Sequence, residues 1–134
     1  MNVRMELTRV VNCDLNDQHW IHLSEVQGTR TFPIVIGRAE AQVINRRLLE
    51  EEPFRPMTHQ LLWNIAEILG GKIEDVVITD LREHTYFAVI RIRAGETLHE
   101  IDCRPSDGVA IAAHSQPMLP IYVEESVLQS VVGS

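Results

Sequence analysis

Only two cysteines occur in the 134 residues, Cys13 and Cys103. Both sit in apolar, strand-like stretches, and neither has a second Cys or a His at metal-ligand spacing. Buried free thiols are therefore expected, rather than a disulfide or a zinc site. Long apolar runs are also lacking, and no stretch approaches the length of a membrane span. The opening Met1-Asn2-Val3-Arg4-Met5-Glu6 alternates charged and apolar residues where a signal peptide would be continuously apolar. These absences predict a cytoplasmic protein with no membrane contact. Positive charge is in short supply: 12 Lys and Arg against 19 Asp and Glu leave a formal net charge of −7. That balance disfavours sequence-independent grip on nucleic acid, which needs a positive field along the phosphates. Nucleic-acid chemistry here would require a local basic patch or metal ions. A glycine-rich phosphate loop, a nucleophile elbow and zinc-type Cys/His spacing are all missing.

What is present reads as one α+β domain spanning residues 1–134. Apolar residues make up 45% of the chain, enough for a real core. Val3, Met5 and Leu7 alternate with Arg4, Glu6 and Thr8 in the strand pattern. A second strand sets Ile21 and Leu23 opposite Trp20 and His22. Gln27-Gly28 turns the chain into a third strand, with Phe32, Ile34 and Ile36 in its apolar row. Pro33 cannot donate to a ladder and belongs at an edge. A helix follows over about 39–51, its buried stripe Ala41, Ile44 and Leu48. The acidic run Glu50-Glu51-Glu52-Pro53 closes it as a solvated end. Thr58 is the expected N-cap of a second helix to Leu69, with Leu61, Leu62, Ile65, Ile68 and Leu69 as a wide apolar stripe. Gly70-Gly71 supplies its left-handed C-cap. Three more strands follow, then a short, nearly all-apolar helix over 107–113 capped by Ser106. A last strand at Ile121-Tyr122-Val123 and a terminal helix from Glu124 complete the order βββα, α, βββα, β, α. The sheet is expected to be mixed and largely antiparallel.

Three polar clusters interrupt this apolar pattern. The first is Ile101-Asp102-Cys103-Arg104-Pro105-Ser106-Asp107, where a strand end, a turn and a helix start converge. Free N–H groups at such a helix start hold anions, which nominates Ser106 and Arg104 as phosphate ligands. Asp102 and Asp107 offer hard oxygen ligands to a divalent metal such as Mg²⁺ or Mn²⁺. The structural alternative is that Ser106 and Asp107 cap the helix while Asp102 pairs with Arg104. The second cluster is Arg55 with His59, a phosphate ligand beside an acid or base. Its alternative is an Arg55 ion pair across the fold and a surface histidine. The third is Glu40, in a helix first turn, either a dipole partner or a further metal ligand. His19 and His22, three apart on a strand, fall on opposite faces and do not read as a metal pair.

These clusters carry a resemblance. Phe32-Pro33-Ile34-Val35-Ile36-Gly37 with Glu40-Ala41, Arg55-Pro56-Met57-Thr58-His59 with Leu61-Leu62, and Ile101-Asp102-Cys103-Arg104-Pro105-Ser106-Asp107 with Ala110-Ile111-Ala112 resemble the three motifs of the bifunctional nuclease domain family. Pro120-Ile121-Tyr122-Val123 resembles its closing strand. Gly108 stands where alanine is usual. The resemblance implies an α+β fold, a homodimer, and nuclease activity toward DNA and RNA. It brings no agreed catalytic residues, so the site rests on the motifs. Asp102, Asp107 and His59 are the expected catalytic residues, and Arg55, Arg104 and Ser106 the phosphate ligands. Asp102, Asp107 and Glu40 would hold the metal. The competing reading is a non-enzymatic dimeric interaction or regulatory module, in which the same motifs join helix starts to the sheet. Trp20, Met57 and Trp63 are the apolar groups expected at a subunit contact.

Overall fold

The computed structural model describes residues 1–13, 15–49, 51 and 55–132. Period-two alternation governs its first three strands, β1 (Asn2–Cys13), β2 (Gln18–Glu25) and β3 (Thr31–Ile36). In β3 the alternation is strict: Phe32, Ile34 and Ile36 are buried, while Thr31, Pro33 and Val35 are exposed. Helices α1 (Arg38–Leu48) and α2 (Thr58–Ile68) come next. Strands β4 (Gly71–Arg82), β5 (Thr85–Ala94) and β6 (Thr97–Cys103) lead into α3 (Pro105–Ala112). Strand β7 (Ile121–Glu124) and α4 (Glu125–Val132) finish the chain.

The strands form a seven-stranded sheet in the order β3-β2-β1-β7-β4-β5-β6. Each run of three strands is an antiparallel meander, and the short β7 joins the two, antiparallel to β1 and parallel to β4. The protein is thus α+β with a mixed, mostly antiparallel sheet. Pro33 lies on edge strand β3, where its missing donor costs no ladder bond. Helix α3 is buried from Gly108 to Ala112 and packs on α1, α2, β4 and β5. Its apolar residues join Val76, Ile78, Ile121 and Val123 in the core.

Several helix details differ from expectation. Helix α1 ends at Leu48, which is 49% exposed and so falls outside the stripe that Ala41 and Ile44 bury. The acidic run beyond it falls partly outside the described residues, at Glu50, Glu52 and Pro53. Met57, not Thr58, is the N-cap of α2, and its backbone N–H donates to Gln60 Oε1 at 2.7 Å. Arg104, not Ser106, is the N-cap of α3. Pro105 decides this, because its fixed φ and missing N–H suit the first helical position and draw the helix start forward. Ser106 then lies inside the helix and is buried. Gly70 behaves as read, with φ +90° just after α2.

The largest difference is α2 itself. Its apolar stripe is not buried: Leu61, Leu62, Ile65, Ile68 and Leu69 are all exposed, and His59 is its buried residue. The helix touches β4 and α3 but does not close down on the sheet. A cleft of about 840 Å³ remains between them. Its walls are Leu62, Ile65, Ala66 and Leu69 on one side and Ile73, Ile90, Ile92 and Ile101 on the other.

Candidate active site

The first turns of three helices meet at one end of this cleft. Glu40 is the third residue of α1, His59 the second of α2, and Asp107 the third of α3. Arg104, at the N-cap of α3, ties them together. Its Nη2 donates to Glu40 Oε1 at 2.8 Å and to Asp107 Oδ1 at 3.1 Å, and its Nε donates to Asp107 Oδ2 at 2.8 Å. His59 Nε2 lies 3.1 Å from Asp107 Oδ1. Carboxylates at helix N-termini are favoured by the macrodipole, and here two of them share one guanidinium.

Local sequence explains each placement. Gly37 is extended, with φ −80° and ψ 166°, and caps α1. A Cβ on it would meet Glu40 Oε2 at 2.5 Å, so glycine leaves room for the carboxylate to fold back there, and a larger residue would push that flexible side chain aside. Glu40 is consequently 8% exposed despite its charge. The i, i+3 spacing of Arg104 and Asp107 sets one above the other on the helix start. Burial opposes ionisation of Asp107, but hydrogen bonds from Arg104 and His59 outweigh it and hold its carboxyl below the ordinary carboxylate value. Cys103, nearby in the cleft wall, is pushed up to about 12 by burial and then by the charges of Asp107 and Asp102. It is a thiol, not a thiolate, at neutral pH. Both cysteines are free and partly buried.

The remaining nominated residues fall differently. Asp102 lines the cleft from edge strand β6, but it is exposed and its side chain has no hydrogen bond or ion pair with the described residues. The partners of Arg104 are Glu40 and Asp107, which corrects the Asp102–Arg104 pair. Arg55 is exposed before α2, does not line the cleft, and makes no ion pair with the described residues. Ser106 is buried and does not line the cleft either. The one feature that sequence reasoning missed is the cleft, because a helix stripe looks the same whether or not a sheet closes over it.

Among the described residues, no group of three His, Cys, Asp or Glu side chains is arranged to hold a metal ion. Glu40 and Asp107 come together only through Arg104, whose guanidinium takes the place a cation would need. The donor set as arranged does not fit a divalent metal. His19, away from the cleft, hydrogen bonds to Asn12 and Asp17, and His22 accepts from Trp20 Nε1.

A model of the bifunctional nuclease domain matches residues 21–132, from β2 to the end of α4. The chain belongs to the bifunctional nuclease domain family. The matched stretch contains every residue of the Glu40–His59–Arg104–Asp107 cluster and both walls of the cleft. Two proteins of the same sequence neighbourhood, each described as uncharacterized, come from two strains of Mycobacterium tuberculosis. Each is 41% identical over 106 residues, which is 79% of this chain. The chain spans 62% of the length of these relatives. No helix among the described residues is long and apolar enough to cross a membrane.

Proposed function

We propose that the protein hydrolyses phosphodiester bonds of DNA and RNA at the cluster where the three helix starts meet. The observation that carries this reading is the convergence of Arg104, the His59–Asp107 pair and three helix N-termini at the polar end of one cleft. Helix N-termini favour anions, and together they offset part of the local negative charge that would repel a phosphate. Arg104 is mostly exposed, and only its Nε and Nη2 are engaged by Glu40 and Asp107. Its Nη1 is left to meet a phosphoryl oxygen and the charge that grows on it. Proton transfer to and from water and the leaving oxygen falls to the His59–Asp107 pair. Arg55, on the connector before α2, would hold the nucleic-acid backbone outside the cleft.

The test is a cleavage assay on single- and double-stranded DNA and RNA, with Mg²⁺, with Mn²⁺ and with chelator. Protein purity is checked by mass spectrometry, since contaminating nuclease mimics weak activity. Arg104→Ala should lower cleavage by about 10²-fold or more, the usual cost of losing a charge-stabilising donor. Equal cleavage by the wild type and this variant would sink the reading.

One observation favours a second reading, a dimeric interaction module. Leu61, Leu62, Ile65, Ile68 and Leu69 form an apolar face on α2 that a monomer leaves in water. Trp20, Met57 and Trp63, the expected contact residues, are partly buried instead. A homodimer through α2 would cover the exposed face. Light scattering at micromolar concentration should then give twice the 15.3 kDa chain mass.

A further inference from the structure

Within the proposed reaction, the hydrogen-bond geometry separates the roles of His59 and Asp107. We infer that His59 is a positioning residue, a neutral ring protonated on Nε2 that fixes the Asp107 carboxylate, and that Asp107 is the group presented to substrate.

Neither ring nitrogen of His59 is open to a ligand. Nε2 faces Asp107 Oδ1 at 3.1 Å. An ionised carboxylate only accepts hydrogen bonds, so Nε2 must carry the proton. Nδ1 is buried and has no hydrogen-bond partner. A protonated Nδ1 in that place would bury a charged donor with no acceptor, which costs more than burying an unpaired neutral lone pair. The ring is therefore the neutral Nε2–H tautomer. His59 also borders a small cavity of about 10 Å³, lined by Gln60, Glu51 and Arg46 among others.

This arrangement leaves the imidazole no accessible nitrogen for a substrate, since Nε2 faces Asp107 and Nδ1 is buried. Both residues line the cleft, but the Asp107 side chain is 27% exposed against 11% for His59, so the carboxylate is the more accessible of the two. Arg104 and His59 approach the carboxylate from two residues on different helices, so its orientation is over-determined. The pair resembles an acid–base dyad read backwards, with the histidine behind and the carboxylate in front.

Two measurements test this on the full chain. The first is long-range ¹H–¹⁵N correlation of the histidine rings at neutral pH, assigned by loss of signal in His59→Gln. A protonated Nε2 and an unprotonated Nδ1 are expected for His59; an Nδ1–H tautomer or an imidazolium would overturn the inference. The second compares cleavage by His59→Ala and His59→Gln. The Gln amide reaches about the place of Nε2 and donates to Asp107, but it cannot exchange a proton as imidazole does. A positioning role predicts that Gln restores at least about tenfold of what Ala loses, whereas an acid–base role costs about 10²–10⁴-fold in both variants. Equal loss in the two rejects the inference. If the wild type cleaves none of the substrates, the nuclease reading fails, and the ring correlation alone still decides the tautomer.

Discussion

Arg104 and Asp102 are two residues apart, and their pairing was the structural alternative to a joint site, yet their surroundings differ sharply. Arg104 is the counter-ion of Glu40, which is 8% exposed, and of Asp107. Its removal leaves a buried carboxylate without its donor, a loss of about 1–3 kcal/mol. Arg104→Ala should therefore lower the melting temperature as well as activity. Asp102→Asn should leave the melting temperature unchanged, because Asp102 is exposed and unpaired among the described residues. Thermal melts followed by circular dichroism check both; a destabilised Asp102→Asn would show a partner that the structure lacks. Gly108 makes a third case. An alanine there gains about 1 kcal/mol of helix propensity. Its Cβ, however, would meet Val76 Cγ1 at 2.7 Å, and Val76 is fully buried. Overpacking a rigid core side chain costs about 1–3 kcal/mol, so the crowding wins. Gly108→Ala should melt at a lower temperature, and a stabilised variant would contradict the packing. Glycine here makes room for a sheet residue; weakening the helix start is secondary.

At the scale of elements, strands were more legible than helix surroundings. Alternation in β3 and the Phe32, Ile34 and Ile36 row need only the two-residue period, which a sequence displays directly. The stripe on α2 has the right period too, but period says which residues share a face and not what covers that face. Ile68 shows the consequence. It belongs to the apolar stripe and is 83% exposed. Ile68→Glu should not destabilise the chain, since little burial is lost. If the α2 face joins two copies, the substitution should turn a dimer into a monomer by light scattering, at an unchanged melting temperature. A dimer that survives this change would place the subunit contact elsewhere.

Across the whole molecule, ion pairs connect parts of the chain that lie far apart in sequence. Arg30 bridges Glu25 and Glu125, joining the β2–β3 turn to α4. Hydrogen bonds from Arg30 hold Glu25 and Glu125 below the ordinary carboxylate value, and His19, Arg93 and Arg82 do the same for Asp17, Glu74 and Asp80. Asp107 joins them once its hydrogen bonds overcome burial. A carboxyl whose pKa is lower folded than unfolded contributes stability that is complete above the unfolded value. That contribution is lost as pH falls through the folded one. The unfolded values lie at 3.8 for Asp and 4.5 for Glu. The carboxyl contribution is complete above about pH 5, and the melting temperature should fall steadily below it. Asp17 is exposed and the others are half-buried, so added salt should reduce the fall only in part. A melting temperature that rises on acidification would contradict these pairs.

The sequence by itself determined the order of elements, the strand faces, the free cysteines and the polar character of the motifs at Glu40, His59, Arg104 and Asp107. These follow from local period, from turn and cap chemistry, and from residue type, none of which needs a distant partner. Tertiary structure alone decided which polar residues meet. Three helix starts separated by tens of residues converge on Arg104, and this drew Glu40 and Asp107 to the arginine while leaving Asp102 and Arg55 in solvent. It also decided that α2 stands off the sheet, since the gap between an apolar helix and an apolar strand depends on how the intervening elements pack. No spacing within either segment records that distance.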